Sequence, residues 1–147
     1  MQKIILLSLL LLSATSCGDS FKSSIPDVPK FTFEVNLLQA KYQAIRSEGQ
    51  FVPASKNEHN LLLGFGGLII GNSHYNGYCA FDAACPVEVS RDVVVTLIND
   101  GLGKAVCPKC KTVYDLNNSG APNGVGTEYL RHYSVIVAGA DKLYISN

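Results

Sequence analysis

The sequence is poor in histidine and carries no excess charge of either sign, and these two scarcities narrow its chemistry considerably. Three histidines, His59, His74 and His132, stand in 147 residues, far from one another along the chain. Lys plus Arg and Asp plus Glu are equal at 12 each, so the formal charge is zero. With no basic field to draw in nucleic acid or an anionic surface, nucleic acid is excluded as an expected partner. No phosphate loop is present: Gly64-Phe65-Gly66-Gly67 is followed by neither Lys-Ser nor Lys-Thr and opens no helix. Those glycines read instead as a bend or bulge between strands. No Ser-His-Asp set, paired acidic motif or nucleotide fingerprint argues for hydrolysis or group transfer, and no independent catalytic activity is expected. No apolar run approaches the roughly 20 residues of a spanning helix.

What the chain does have begins at its start. Met1-Gln2-Lys3 is a short positive opening, residues 4–12 are almost wholly apolar, and Ser13-Ala14-Thr15-Ser16 is a run of small residues before Cys17. An apolar stretch this short reads as a secretory signal. Cys17 directly after small residues resembles the lipobox of bacterial lipoproteins, with Ala14 where leucine is usual. The resemblance implies that residues 1–16 are a signal peptide and that Cys17 is acylated as the new N-terminus. The other reading is an ordinary cleaved signal with an incidental thiol. The mature chain would carry 11 basic against 12 acidic groups once Lys3 is lost. Residues 17–29, rich in Ser, Asp and Pro, then read as a flexible tether between lipid and domain. The location implied is the bacterial cell envelope, outside the cytoplasm, with the membrane as partner through the lipid.

From residue 30 the pattern is β, and residues 30–147 are long enough for one compact domain. Phe31-Thr32-Phe33-Glu34-Val35-Asn36 alternates apolar and polar, which puts Phe31, Phe33 and Val35 on one face of a strand. Further strands are expected at 42–46, 51–52, 67–70, 77–81, 93–98, 104–106, 133–137 and 143–146. They are short, rich in β-branched and aromatic residues, and separated by Gly, Asn, Asp and Pro, as in an antiparallel sandwich or small barrel. Only residues 37–45 have a helical alternative, and Asn99-Asp100-Gly101 signals a hairpin. No internal repeat is evident.

Setting Cys17 aside leaves Cys79, Cys85, Cys107 and Cys110. Three readings follow: disulfides, a metal site, or buried packing thiols. Cys107-Pro108-Lys109-Cys110 makes a tight turn that aims two thiolates at one point, as zinc knuckles and iron-sulfur loops do. Cys79 is the fourth candidate ligand. An extended chain puts it up to about 20 Å from Cys85, whereas sulfurs on one zinc lie about 4 Å apart, so core packing on the face shared with Phe81 outweighs ligation.

The wider pattern resembles a Rieske domain. Phe81-Asp82-Ala83-Ala84-Cys85-Pro86, a hairpin, Val106-Cys107-Pro108-Lys109-Cys110-Lys111-Thr112-Val113-Tyr114-Asp115-Leu116, the Gly- and Pro-bearing residues 120–126, and Leu130-Arg131-His132-Tyr133 carry the likeness. It implies an all-β, Rieske-like antiparallel sandwich or small barrel with two Cys-containing loops, a first of Cys-x-His type and a second of Cys-x-x-His type. Cys85 and Cys107 match the two loop cysteines, and Thr112, Tyr114 and Asp115 match the flank that packs the second loop. Val87 stands where the first histidine belongs and Cys110 where the second belongs. Valine offers no lone pair, so the His-ligated [2Fe-2S] cluster has no ligand pair.

The resemblance implies that Cys85 and Cys107 lie close together. The expected cofactor is zinc on Cys85, Cys107, Cys110 and a fourth group, an atypical all-cysteine [2Fe-2S] cluster, or none, a disulfide taking its place. Two functions follow: a lipid-anchored module with a degenerate cluster site and no ordinary Rieske redox chemistry, or an electron carrier for an unidentified redox partner in the envelope. His59, His74 and His132 read as turn or surface residues rather than ligands.

Overall fold

The computed structural model describes residues 21–147; the expected signal peptide and the acylation site Cys17 lie outside the described residues. The all-β expectation holds. In chain order the strands are β1 (Thr32–Asn36), β2 (Gln50–Ala54), β3 (Leu68–Ser73), β4 (Gly77–Asp82), β5 (Thr96–Ile98), β6 (Lys104–Val106), β7 (Val113–Asp115), β8 (Ala121–Asn123), β9 (His132–Val137) and β10 (Lys142–Ser146). They form a six-stranded sheet in the order β1-β10-β9-β4-β3-β2 and a four-stranded sheet in the order β5-β6-β7-β8. Every pairing is antiparallel.

The smaller sheet is an excursion from the larger. β4 and β9 are neighbours, joined at Ala80 with Tyr133 and Phe81 with His132, and the whole four-stranded meander lies between them in sequence. This explains why Leu68-Ile69-Ile70 is apolar without alternation. Leu68 and Ile70 face a core with Val35, Ile45, Leu143 and Ile145. Ile69 faces a second core with Phe81, Ala105, Tyr114, Leu116 and Leu130. A strand buried on both faces needs apolar side chains at every position. Two buried cysteines, Cys85 and Cys107, belong to the second core.

Three departures from the expected pattern have local causes. Residues 42–46 do not form a strand: Ala40–Arg46 is a 3-10 helix that buries Tyr42 and Ile45, and that spacing of three brings both onto one side of a three-residue turn. β7 and β8 were not expected as strands, being three residues each and framed by Gly and Asn that signal turns. The expected strand at 93–98 contracts to Thr96–Ile98, with Val94 making only an isolated bridge to Ala84.

The tether needs correction. Residues 22–29 are laid along the domain rather than free. The Lys22 and Ile25 carbonyls accept hydrogen bonds from Tyr129 N–H and Arg131 Nη1 at 3.1 and 3.0 Å. Ser24 N–H donates to Glu128, Arg131 pairs with Asp27 at 2.6 Å, and Val28 accepts from the Asn147 amide. Ile25 is buried. The Ile25 side chain, Val28 packed against the first core and these polar anchors outweigh a composition that by itself signals looseness.

Asp82, with no solvent exposure, ties the two sheets where they part. Its carboxylate accepts from Phe65, Gly66 and Ala84 N–H at 2.6, 2.9 and 2.8 Å and from the Tyr133 hydroxyl at 2.7 Å. Gly66 is required here, because a Cβ at that position would stand 2.8 Å from the Ala84 nitrogen. Asp82→Ala leaves four donors without their acceptor. It should lower the unfolding free energy by at least about 3 kcal/mol, read as a drop in the denaturant midpoint at unchanged slope. A loss under about 1 kcal/mol would contradict this role.

Candidate metal centre

Three sulfurs converge at the end of the second core. Cys85 follows β4 in the connection to β5, while Cys107 and Cys110 lie in the turn between β6 and β7. Their Sγ atoms all stand within 4.8 Å of one another. Cys85 and Cys107 are fully buried and Cys110 is partly so. The Cys85 and Cys110 sulfurs are 3.7 Å apart. All three are free thiols, and that separation is well beyond the roughly 2.05 Å of a disulfide bond.

Each turn is built by backbone hydrogen bonds. Cys107 N–H donates to the Thr112 carbonyl at 2.9 Å, and Lys111 N–H returns to the Cys107 carbonyl at 3.1 Å. On the other side Cys85 N–H donates to the Val93 carbonyl at 3.2 Å, and Val89 N–H to the Cys85 carbonyl at 2.9 Å. Proline at the second position of both turns presets the backbone for this reversal.

The surrounding polar atoms serve sulfur. The Tyr114 hydroxyl lies 3.4 Å from Cys85 Sγ, and Thr112 Oγ1 lies 3.2 Å from Cys110 Sγ. Gly126 N–H donates to the same Thr112 oxygen at 3.0 Å, which fastens the loop after β8 over the second turn. Gly126 therefore lies against Thr112, whereas Pro122 pairs with Tyr114 in the sheet.

Burial pushes the Cys85 thiol up to about 11, against hydrogen bonds from Tyr114 and the Glu88 and Val87 backbone that pull the other way. For Cys110 burial also raises, but Thr112 and the neighbouring Cys107 and Cys85 outweigh it and hold the thiol below its ordinary value. Cys110 therefore forms its thiolate more readily than Cys85 does. The Tyr114 hydroxyl is pushed far up by burial and by Cys85, so it stays a hydrogen-bond donor. Lys109 is held protonated by Glu88, 2.5 Å from its Nζ, and by the field of Cys107 and Cys110.

Cys79 does not join the three. It stands on β4 opposite Gly71 and packs against the second core beside Phe81. Burial raises its thiol to about 11. The strand stays extended through Asp82, and Cys79 is not among the three sulfurs that converge. The ordinary Rieske ligand set does not fit either. Val87 is exposed at the first turn. His132 is clamped between Phe21 and Phe81 and bonded through Nε2 to the Ser119 carbonyl, with burial lowering its pKa. His74 pairs with Glu48 and His59 with Glu58, both on the surface. An apolar cleft of about 550 Å³ between β2 and β5 is lined by Phe51, Leu68, Val95 and Leu97 and holds none of the cysteines. One residue of the centre escaped the sequence reading: Glu88, whose carboxylate is largely buried beside Lys109.

In reduced, metal-free protein near neutral pH, iodoacetamide should modify Cys110 well before Cys79, Cys85 or Cys107, as mass spectrometry of timed digests would read. Raising the pH toward 11 should narrow the gap at Cys85. The folded state keeps Cys79 and Cys85 protonated above the ordinary thiol pKa, so the unfolded chain loses those protons first. Metal-free stability should accordingly fall between about pH 9 and 11. Equal labelling rates at all four cysteines in the folded protein would overturn this ordering.

No protein-family model, curated protein or solved structure matches this chain.

Proposed function

We propose that this chain is a lipid-anchored envelope module whose second sheet is stapled by one tetrahedral metal ion, zinc being the ion its donors suit, without ordinary Rieske redox chemistry. The observation that carries this is the sulfur geometry. Four ligands about 2.3 Å from one ion stand about 3.8 Å apart along each edge of the tetrahedron. The Cys85 and Cys110 sulfurs are 3.7 Å apart, and Cys107 completes a set within 4.8 Å. A two-iron cluster spreads its ligands over two irons on opposite sides of the bridging sulfides; three sulfurs this close bracket a single ion. Thiolates are soft donors and favour zinc over hard cations. Burial of Cys85 and Cys107 fits a structural ion, which joins two turns that share no strand pairing.

Purified protein expressed with zinc and iron both supplied should hold one zinc per chain and no labile sulfide. Cys107→Ser should lose the metal, and a chelator should lower the melting temperature of the wild type. Stoichiometric iron with sulfide and visible absorption would favour the electron carrier instead. No metal, with two thiols missing from a count under denaturing conditions, would favour a disulfide.

The pattern around Cys17 supports the anchor. With residues 22–29 docked, Cys17 and Phe21 are four residue steps apart, a reach of about 14 Å, so the domain is held close to the lipid surface. Labelled palmitate should be incorporated into the wild type and not into Cys17→Ser; equal labelling of both would remove the anchor from this reading.

A further inference from the structure

We infer that Glu88 supplies the fourth ligand, making the centre a three-thiolate, one-carboxylate site. The inference rests on the single-ion reading above and deepens it. Its basis is an internal equivalence between the two turns. Cys85-Pro86-Val87-Glu88-Val89 and Cys107-Pro108-Lys109-Cys110-Lys111 each open with Cys-Pro. In each, the N–H of the fifth residue closes on the carbonyl of the first, at 2.9 Å for Val89 and 3.1 Å for Lys111.

In each, that fifth residue has a left-handed backbone, φ +47° at Val89 and +63° at Lys111. Only Asn60 and Ser119 share this conformation among the described non-glycine residues. A β-branched residue such as valine adopts it only where its surroundings impose it. The two turns therefore have the same fold. The fourth position is Cys110 in one, a member of the sulfur set, and Glu88 in the other.

Glu88 has the chemistry the position requires. A carboxylate ligates zinc through oxygen at about 2.0–2.2 Å. Its side chain is only 12% exposed, and among the described residues its ionic partner is Lys109, the third residue of the opposite turn. No other carboxylate belongs to either turn. In the structure the carboxylate rests on Lys109, outside the group of three sulfurs. Binding would exchange that ion pair for the metal, with each coordinating thiol giving up its proton. Lys109 would remain beside the site to offset a ligand set whose negative charge exceeds that of the cation.

The test is cobalt(II) titration of the purified, reduced, full-length protein, followed by thiolate-to-cobalt charge-transfer and ligand-field absorption, with zinc competition for affinity. The wild type should show three thiolates on a tetrahedral ion. Glu88→Gln should weaken zinc binding by more than about 100-fold, beyond the roughly 10–100-fold that loss of an outer-shell partner costs. Glu88→Cys should restore tight binding and add a fourth thiolate's charge-transfer intensity, with the ligand-field bands shifted as the oxygen donor is replaced by sulfur. Lys109→Met, which removes the ion pair and leaves the carboxylate, should keep the three-thiolate spectrum. The Glu88 assignment is overturned if the wild type binds cobalt through three thiolates while Glu88→Gln leaves spectrum and affinity unchanged and Glu88→Cys adds no thiolate. Failure of the wild type to bind cobalt or zinc at all would instead remove the single-ion reading.

Discussion

Where the chain leaves the six-stranded sheet, the Asp82 carboxylate accepts three backbone N–H groups and the Tyr133 hydroxyl without any exposure to water. These donors come from the approach to β3, from the exit toward β5 and from the returning strand β9. A buried polar group of this kind is tolerated only when its lone pairs are filled, so the three segments are held in one arrangement. The rest of the molecule follows from that junction. It sets the direction in which Ala83-Ala84-Cys85 departs, and it keeps β4 beside β9 while the smaller sheet forms between them in sequence.

The smaller sheet has little else to define it. Its strands are three residues long, and short strands contribute few ladder hydrogen bonds. Much of its stability must come from the second core, in which Phe81, Ile69 and Leu130 meet Ala105, Tyr114 and Leu116. The three thiols lie at the end of that core, in loops that no ladder joins. A metal ion shared between these loops would hold the end of the sheet where side-chain packing gives out.

Much of the architecture was legible in the residues. Alternation in Phe31-Thr32-Phe33-Glu34-Val35 located β1, and Asn99-Asp100-Gly101 located the hairpin between β5 and β6. The likeness of the two Cys-Pro segments to Rieske loops led to the expectation that Cys85 lies near Cys107, and their sulfurs belong to one group within 4.8 Å. Other features were hidden for physical reasons. Ala40–Arg46 contains both β-branched and helix-forming residues, and only the burial of Tyr42 and Ile45 decides between them. The segment 22–29 looks loose because its anchors are partners over 100 residues away, such as Arg131 for Asp27. The repeat shared by the two turns was missed because it spans five residues and is carried by backbone hydrogen bonds and φ angles, with only Cys-Pro in common.

The sequence by itself determined the β class, the two Cys-Pro turns and the absence of histidine at them, because strand periodicity, proline geometry and ligand chemistry are properties of the residues and their near neighbours. Only the tertiary structure decided which cysteines meet. Cys79 and Cys85 are six residues apart yet separate, since an extended strand carries a side chain away at about 3.3 Å per residue. Cys85 and Cys110 are 25 apart yet have sulfurs at 3.7 Å. That convergence depends on the return of β9 to β4, on Asp82 at the junction and on the packing of two cores against one sheet, which are relations between distant segments that no local pattern encodes.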